Sequence, residues 1–517
     1  MQDHLKTKLA WAITPQLRAN LLLGWWHNSA HGDSASWLRD AAGNTVDNSS
    51  GGDISQAVNI NSKRDTLAAS DFSTSRDTRQ HRMQAVSLKS RNQGQLDWEL
   101  AASAHDDQKE LSRAYAPVVK AQPLAGSLTD GGGTGWSTLA AKGIWRPAGV
   151  GGAHTVDVGL AQDSTHLRSR VDTTADWQTG SALAFASSFA GNTRTQSLFG
   201  QDAWQFAPGW ATVLGLRAEH WAAQDGLTAS AYSGAADQGN CNVAAKLCSL
   251  QHPARSATAW SPKAAISHAV DDDWVLKAST GRAVRFPTVS ELYQGGVNAL
   301  GQAINNNPKL WPERSQTSEL SAEWTVPAAS LRATLFHEDS RDALYAQLNT
   351  STNANTVQNI NHVRTTGLEL AGSLAQQWTA ALLNGLRLQG SLTYANSKIL
   401  ANSGYLLVPG DTVGKWQPRV PRWRASALAT WQATPVFSVA YGVRYSGQQF
   451  STLDNGDPNG FAYTGASPYL ISDVRLRYQI SRQWSAALGL DNLSNQQVWN
   501  FHPYAQRSAN AELQFDL

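Results

Sequence analysis

Large apolar residues alternate with small or polar ones along much of this chain. At 437–445 every odd position is large and apolar, while every even position is small or polar. The same two-residue period returns at 386–394, 474–480 and 509–515. A period of two predicts β-strands that turn one face to an apolar environment and the other to water.

The links between the predicted strands are alternately tight and long. The tight links lie at 13–17, 206–210, 432–435 and 480–484. The long polar links lie near 28–77, 108–135, 166–193, 223–255, 283–315, 399–418 and 450–467. The tight links have tryptophans beside them, as an aromatic girdle at one membrane surface requires: Trp210, Trp274, Trp431 and Trp484. Tight turns on one rim and long loops on the other are typical of bacterial outer-membrane barrels.

The number of predicted strands is about 19. Single-chain bacterial barrels have an even number, with both termini on the periplasmic side, so an odd count would place Met1 at the extracellular rim. Residues 1–6 also lack the apolar core and cleavage site of a secretory signal. We therefore expect 1–517 to be one β-barrel domain from a barrel of about 22 strands, without its first three strands and everything before them.

Composition agrees with one large closed sheet better than with a soluble helical enzyme. The 517 residues include 41 glycines and 21 tryptophans, and only 16% are charged. The longest apolar run, 21–26, is far shorter than the roughly 20 residues that a membrane-spanning helix needs. The net charge is +2, from 42 basic and 40 acidic residues without a basic block, which argues against a nucleic-acid partner.

Candidate chemical sites are few. Cys241 and Cys248 lie close together in a polar segment, which favours a local loop disulfide formed in an oxidising compartment over a metal site. The histidines are scattered without HxH or HExxH spacing, and we interpret several as solvated loop residues rather than metal ligands: His27, His31, His252 and His502. No nucleophile elbow, phosphate-binding loop or dinucleotide fingerprint is present, so no catalytic residue and no cofactor is predicted.

The most distinctive motif follows a predicted strand. Residues 281–293 read GRAVRFPTVSELY, and 311–315, reading WPERS, open the next strand. Pro287 removes a ladder donor and ends the strand, and Thr288 with Glu291 fits a capping box for one helical turn. The two segments resemble the barrels of TonB-dependent receptors. The positions that carry the resemblance here are Arg282, Arg285, Phe286, Pro287, Thr288, Ser290, Glu291, Leu292, Tyr293, Pro312, Glu313, Ser315 and Glu319.

Further matches to this family follow toward the C-terminus. Gly367 and Glu369 lie in a strand that resembles the family's "G-x-E" strand, and Pro421 lies in a "V-P" strand entry. Asn492 and Leu493 match an "N-L" signature near the end of the penultimate strand. The resemblance runs from about residue 195 to the end of the sequence and is less distinct before that point.

The resemblance implies an antiparallel transmembrane β-barrel in the outer membrane of a Gram-negative bacterium. It implies a monomer in the lipid bilayer that imports a ferric siderophore or similar bulky ligand, with energy delivered by the TonB complex to an N-terminal plug. No segment here resembles the plug or the TonB-contacting box, so we do not expect this chain alone to perform energised import. The alternatives are a passive porin-like channel of 16 to 18 strands and, from another class, a surface enzyme or a soluble carbohydrate-binding β protein.

Two sets of residues are candidates for ligand contact. The first set faces inward by phase, and we favour cross-strand ion pairs in a wet lumen over contacts with a plug or a passing ligand for its members: Glu319, Glu323, Glu369, Arg424, Arg444, Arg475, Arg477 and Glu512. The second set lies in the loops at 223–255, 283–315 and 399–418, which we expect to contact ligand because barrel loops usually carry recognition. Its aromatic members are Trp311, Tyr405 and Trp416.

Overall fold

The structure is a computed structural model, and it describes most of the chain. The described residues are 1–32, 54–60, 63–67, 74–92, 94–115, 124–297, 303–304, 306–349, 354–375, 384–403, 411–457, 459–461 and 465–516. Tyr405 and most of the predicted loop at 28–77 lie outside these residues.

Strands of eight residues or more dominate the described chain, and there are 19 of them. They are β1 (Gln2–Thr14), β2 (Leu17–Gly32), β5 (Ser75–Ser90), β6 (Leu96–Tyr115), β8 (Gly135–Trp145), β9 (His154–Thr174), β10 (Ala184–Ala207), β11 (Trp210–Ala231), β14 (Arg255–Ala269), β15 (Trp274–Arg285), β18 (Glu313–Val326), β19 (Ala329–Asn349), β20 (Ala354–Leu374), β21 (Leu386–Ala401), β22 (Trp423–Thr434), β23 (Phe437–Ser446), β24 (Tyr469–Gln479), β25 (Trp484–Asp491) and β28 (Ser508–Phe515).

Shorter elements occupy the links between these strands. They are β3 (Ile54–Ile60), β4 (Lys63–Leu67), β7 (Gly126–Asp130), β12 (Cys241–Asn242), β13 (Leu247–Gln251), α1 (Val289–Tyr293), β16 (Gly296–Val297), β17 (Ala303–Ile304), β26 (Trp499–Asn500) and β27 (His502–Pro503). Within the described residues, no helix is both long and apolar enough to cross a membrane.

The long strands form one antiparallel sheet in which each pairs with its neighbours in the sequence. With the short strands β7, β12 and β13 the sheet has 22 strands. β7 pairs with the same two strands as β8, and β13 pairs with β11 as β14 does, so these short strands extend existing positions. Apart from these extensions the sheet has the predicted 19 strands, and the all-β, antiparallel barrel fold is confirmed.

The two faces of the sheet differ as the two-residue period predicts. Leu320 and Leu335 lie opposite each other on one face and are 57% and 55% exposed. The other face carries charges that pair across strands, such as Arg332 with Glu369 at 3.4 Å. An apolar, exposed outer wall around a polar interior is the arrangement of a transmembrane barrel.

The tight links are confirmed, but one long link is shorter than expected. Strands meet within a few residues at 13–17, 206–210, 432–435 and 480–484. In contrast, β9 and β10 continue far into 166–193 and leave only 175–183 as a link. Both faces of a strand are polar where it extends beyond the membrane, so the pairing continues after the apolar alternation has stopped.

The outermost strands leave their outer edges free within the described chain. β1 pairs only with β2, and β28 pairs only with β25. Every residue of both strands is solvent-exposed. Because neighbours alternate in direction across 19 strands, β1 and β28 run the same way, so a wholly antiparallel closure needs an odd number of further strands between them.

Candidate ligand-binding site

The helix α1 folds against the inner wall at the end of the barrel that carries the long links, here called the mouth. Its N-terminus has the predicted capping box: the Thr288 N–H donates to Glu291 Oε2 at 2.8 Å, and the Glu291 N–H donates to Thr288 Oγ1 at 3.3 Å. Arg285, the last residue of β15, pairs with the other oxygen of Glu291. The motif therefore ends a strand, starts one helical turn and ties the two together.

The buried face of α1 forms the core of the mouth. Val289, Leu292 and Tyr293 are buried with Trp221 of β11 and with Leu310. Phe286 stacks on Trp221, with ring centroids 5.7 Å apart and planes within 5°.

Two glycines make room for this helix. A Cβ atom on Gly191 of β10 or on Gly226 of β11 would lie 2.6 Å or 2.5 Å from the ring of Tyr293. Only a residue without a side chain allows the ring to lie this close to the strand backbone.

A buried polar network fixes the end of α1. Thr228 donates its hydroxyl to the Tyr293 carbonyl oxygen at 2.9 Å and accepts from Asn306 Nδ2 at 3.0 Å. His252 Nε2 lies 2.9 Å from the same hydroxyl, and its ring stacks on that of Tyr293 at 5.0 Å. Burial lowers the pKa of His252 and raises the pKa of Tyr293, so both side chains are held in their neutral forms.

A cavity of about 630 Å³ lies between the exposed face of α1 and the inner wall. Hydroxyl and amide side chains line much of it, together with one carboxylate; they include Ser169, Ser187, Ser188, Ser290, Glu291, Gln294 and Thr356. Its size lies within the range of small-molecule sites, and its lining offers hydrogen bonds rather than a strong charge. This cavity is the candidate ligand-binding site.

The second half of the motif anchors the next strand. Pro312 is buried, and Glu313 Oε2 accepts from the Leu344 N–H at 3.1 Å. Ser315 donates to Glu338 of β19 at 2.8 Å. These residues hold β18 to β19 and do not line the cavity.

The three aromatic candidates are not brought together. Trp311 is 61% exposed, and Asn359 clamps its backbone through two hydrogen bonds of 2.9 Å. Trp416 contacts both Lys398 and Arg422, whose charged groups are 4.9 Å and 4.7 Å from the centroid of its ring. Tyr405 lies outside the described residues. An exposed Trp311 agrees with a contact role, whereas the ring of Trp416 already contacts two cations of the protein itself.

The remaining motif positions have local structural roles. A Cβ atom on Gly367 would meet the Tyr394 carbonyl oxygen at 2.2 Å, so a glycine allows this close approach. Pro421 is buried just before β22. Asn492 adopts a φ of 52° and accepts from the Gln496 N–H at 2.9 Å, while the Leu493 N–H donates to Ser472 at 2.8 Å. Asn492 and Leu493 therefore form the turn that ends β25.

The inward-facing charges form mostly the cross-strand pairs that the sequence analysis favoured. Glu323 pairs with Lys277 at 2.7 Å, Arg444 with Asp473 at 2.8 Å, and Arg475 with Glu512. Arg477 donates to Ser485 at 3.2 Å instead.

Three further charged residues from the sequence analysis, Glu319, Arg424 and Arg282, are solvent-exposed. Glu319 and Arg424 are exposed on the inner face, in register with Ser279 and Thr393. Arg282 is exposed on the opposite, outer face of the sheet.

The structure confirms the prediction for the two cysteines and corrects that for several histidines. A disulfide joins Cys241 and Cys248, which lie opposite each other in a short hairpin of β12 and β13. The interpretation of the histidines as solvated loop residues was wrong for His252, which is buried. His27 and His31 lie in β2 and His502 lies in β27 rather than in loops, although His31 and His502 are solvent-exposed as expected.

Gly191, Gly226 and Thr228 belong to no sequence motif and were not predicted as site residues. His81 of β5 was likewise not predicted to lie beside His105 and Asp107 of β6, which it faces in the structure. No short motif marks these groups because their members come from different strands.

Comparison with known proteins gives one matching family model, "TonB dependent receptor-like, beta-barrel", over residues 12–493. Among curated proteins, the chain is 26% identical over 267 residues to the ferric enterobactin receptor of Pseudomonas aeruginosa. That match covers 46% of the chain and 33% of the receptor. It is 25% identical over 285 residues to the ferrienterobactin receptor of Escherichia coli K12, covering 50% of the chain and 34% of the receptor. The matched segments thus span about one third of these relatives' length.

Solved structures share the fold. The ferric citrate transporter FecA, in unliganded form, aligns with a TM-score of 0.68 at 15% identity, over 99% of this chain and 70% of its own. The siderophore receptor PiuA from Acinetobacter baumannii aligns with a TM-score of 0.64 at 15% identity, over 99% of this chain and 72% of its own. At such low identity the alignments bear on the fold alone.

Proposed function

Because this chain belongs to the TonB-dependent receptor-like β-barrel family, we propose that it forms the barrel wall of a receptor that imports a ferric siderophore or a similar bulky ligand. The family is one of outer-membrane receptors and not of enzymes. The family match over 12–493 carries the proposal, and the curated relatives named for ferric enterobactin support its ligand class.

The architecture supports a bulky ligand. A barrel of 19 or more strands has an interior too wide for its own side chains to fill. At the mouth, α1 narrows this interior and leaves the hydroxyl-lined cavity of about 630 Å³ beside it. We propose that this cavity and the exposed Trp311 contact the ligand at its entry.

Energised uptake is proposed for the whole receptor and not for this barrel wall alone. The proposed route delivers energy from the TonB complex to a plug inside the barrel. The inner wall offers ion pairs of mixed sign, such as Arg444 with Asp473, around a second cavity of about 680 Å³. A polar wall of this kind fits a removable plug, because its hydrogen bonds can be exchanged for water.

We also propose that further strands of the same protein complete the sheet between β1 and β28. Free edge groups within a bilayer would cost several kcal/mol each. Three additional strands would allow antiparallel pairing throughout and would give 22 positions. Disulfide trapping between single cysteines on β1 and on the neighbouring strand of the whole receptor would test this pairing, and trapping of β1 directly to β28 would contradict it.

Uptake of labelled iron tests the proposed transport. The whole receptor would be expressed in an iron-starved outer-membrane host without siderophore receptors of its own, and ferric enterobactin and ferric citrate would be supplied separately. We expect uptake of at least one ferric chelate in cells with TonB and background uptake in cells without it. Equal uptake in both hosts would favour the passive channel and contradict the proposal.

A substitution in the cavity tests the proposed ligand contact. Ser187→Leu places an apolar side chain among the hydroxyl groups, and we expect the apparent affinity for the transported chelate to fall severalfold. Ser318→Leu is the control, because Ser318 has the outer-face phase of Leu320 on β18 and lines neither cavity. If both variants transport like the wild type, the cavity beside α1 is not the contact site.

A further inference from the structure

Two histidines and an aspartate converge on the inner wall. His81 lies on β5, and His105 and Asp107 lie on β6. Their candidate ligand atoms all lie within 4.8 Å of one another. A register shift between Gln80 and His81 sets His81 opposite Asp107.

The cluster faces the interior of the barrel. On the same two strands, Leu88 and Leu100 lie opposite each other on the apolar outer face, and Lys89 pairs with Glu99 on the inner face at 3.3 Å. His81 and His105 have the phase of Lys89 and Glu99. The cluster is partly open, since the side chains of His81, His105 and Asp107 are 22%, 20% and 16% exposed.

The distances suit a small metal ion. His81 Nε2 and His105 Nε2 lie 3.3 Å and 2.8 Å from Asp107 Oδ1. Tetrahedral zinc, with bonds of about 2.0–2.2 Å, separates its ligand atoms by roughly 3.4 Å, so small side-chain movements would complete the geometry. Glu110, whose carboxylate is 2.8 Å from His81 Nε2 and is held by Arg79 at 3.0 Å, lies within reach as a fourth ligand.

The rings are already oriented. Trp26, His81, His105 and Trp136 form one row, with successive centroids 4.7 Å, 5.3 Å and 5.9 Å apart. His105 Nε2 lies within hydrogen-bond distance of Asp107 Oδ1, and its buried Nδ1 has no hydrogen-bond partner in the described part of the chain, so the Asp107 contact and the stacked rings together set the orientation of the His105 ring. Side chains held in place lose little entropy when they bind an ion.

We propose that His81, His105 and Asp107, with Glu110 as the fourth group, bind a divalent transition-metal ion on the inner wall of the barrel. Two imidazoles and carboxylates select ions of the Zn²⁺, Cu²⁺ and Ni²⁺ class over Mg²⁺ and Ca²⁺, which prefer oxygen ligands alone. The site takes the ion itself and does not depend on the proposed chelate import.

Calorimetric titration with ZnCl₂ tests the site on the whole protein in detergent, after removal of any affinity tag. We expect one Zn²⁺ per chain, and a loss of affinity of at least about tenfold in His105→Gln and in Asp107→Asn. Removal of a group that only supports a metal ligand already costs about tenfold or more in affinity, and removal of the ligand itself should cost at least as much. MgCl₂ is expected to give no heat at the same concentration.

His154→Gln provides the matched control. His154 also pairs with an aspartate, Asp202, at 2.8 Å and stacks on Trp204, but it is not part of a three-ligand group in the described chain. This variant should bind Zn²⁺ like the wild type. The absence of stoichiometric binding in folded wild-type protein, or unchanged affinity in His105→Gln, would overturn the proposal.

A second, independent observation concerns cations on the outer wall. Arg314 lies directly opposite Arg341, and Arg364 lies directly opposite Lys398, on the face that carries Leu320 and Leu335. Like charges directly opposite each other destabilise a sheet. Asp339 accepts hydrogen bonds from Arg341 and Arg364 and offsets part of this repulsion.

These four cationic residues lie at the height of the membrane surface nearest the mouth. Trp274 and Trp324 lie side by side, with ring centroids 6.5 Å apart, at the end of the wall that carries the tight links. Arg314 lies ten residues before Trp324 in β18 (324 − 314), toward the mouth, which is a path of roughly 34 Å along the strand. At a tilt of about 40° this gives a height of roughly 26 Å, which is about the thickness of the apolar band of such barrels.

We infer that this row of cations, Arg314, Arg341, Arg364 and Lys398, binds the phosphate groups of lipid headgroups in the outer leaflet. Arg282 and Arg422 are exposed and extend the row on either side, with Arg422 sharing the Trp416 ring with Lys398. An arginine fork matches phosphate oxygens well, and an anion would relieve both like-charge pairs at once.

The test compares thermal unfolding in detergent with and without bisphosphorylated lipid A. We expect lipid A to raise the wild-type midpoint by several degrees, and the double variant Arg314→Gln with Lys398→Gln to lose at least half of that rise. Arg387→Gln with Arg424→Gln removes two cations from the inner face and should keep the full rise.

Inorganic phosphate at the same phosphate concentration distinguishes the source of the anion. We expect it to leave the midpoint unchanged, because a single phosphate lacks the acyl chains that place the headgroup against the wall. An equal rise with inorganic phosphate, or an undiminished lipid response in the outer-face variant, would overturn the inference.

Discussion

Tyr293 lies over Gly226, so close that a Cβ atom on the glycine would stand 2.5 Å from Cζ of the tyrosine ring. The ring belongs to the helix at the mouth, and the glycine belongs to the barrel strand beneath it. The helix can therefore pack against the barrel wall at this point only because residue 226 has no side chain.

Gly226→Ala should loosen the helix from the wall. The added methyl group overlaps the ring, and overpacking of this kind costs about 1–3 kcal/mol. We expect a lower midpoint of thermal unfolding and faster proteolysis of the link at 286–311. Gly281→Ala is the control, because a Cβ atom there would meet its nearest neighbour at an ordinary 3.5 Å. Equal stability of the two variants would contradict the close packing of Tyr293 on Gly226.

Tyr293→Phe should leave stability unchanged or slightly raised. The buried hydroxyl of Tyr293 has no hydrogen-bond partner among the described residues, so its removal loses no bond and removes a desolvated polar group. Tyr293→Ala, in contrast, should cost about 3–5 kcal/mol because it leaves a cavity. Denaturant unfolding of both variants checks this, and a large loss in Tyr293→Phe would reveal a partner for the hydroxyl.

Acid should weaken the packing at the mouth through His252. Burial lowers the pKa of this histidine below its ordinary value of 6.5, so the folded state binds the proton less readily than the unfolded state. The contribution of neutral His252 to the free energy of unfolding is complete above pH 6.5. This contribution is lost as the pH falls from 6.5 through the lowered pKa of the folded state.

Thermal midpoints measured from pH 8 to pH 5 check this dependence. His252→Gln carries no titrating group, and we expect its midpoint to fall less with acid than that of the wild type. Parallel pH profiles for the two proteins would show that His252 does not contribute.

A charge on the outer wall should cost far more than the same charge on the inner wall. Leu335→Lys places an ammonium group on the apolar outer face, where the cost is about 2–4 kcal/mol near the middle of the bilayer. Thr334→Lys, one residue earlier, turns the same group to the wet interior and should be nearly neutral. Unfolding free energies in lipid vesicles check the difference, and equal losses would contradict the assignment of the two faces.

The sequence alone determined the period of two, and with it the all-β fold and the 19 strands. Alternation of apolar and polar residues is a property of each strand's own sequence, so it can be recognised without knowing which strands pair with it. The capping box at Thr288 and Glu291 and the disulfide between Cys241 and Cys248 were likewise accessible, because their partners lie only three and seven residues apart.

Only the tertiary structure revealed the contacts between residues of different strands, because no short segment of the sequence contains both partners. The extension of β9 and β10 beyond the apolar band depends on pairing between polar strands, which leaves no hydrophobic signal. The glycines under Tyr293, the group of His81, His105 and Asp107, and the opposed cations Arg314 and Arg341 each join different strands. Strand register sets these contacts, and a shift of one residue would turn every one of these side chains to the opposite face.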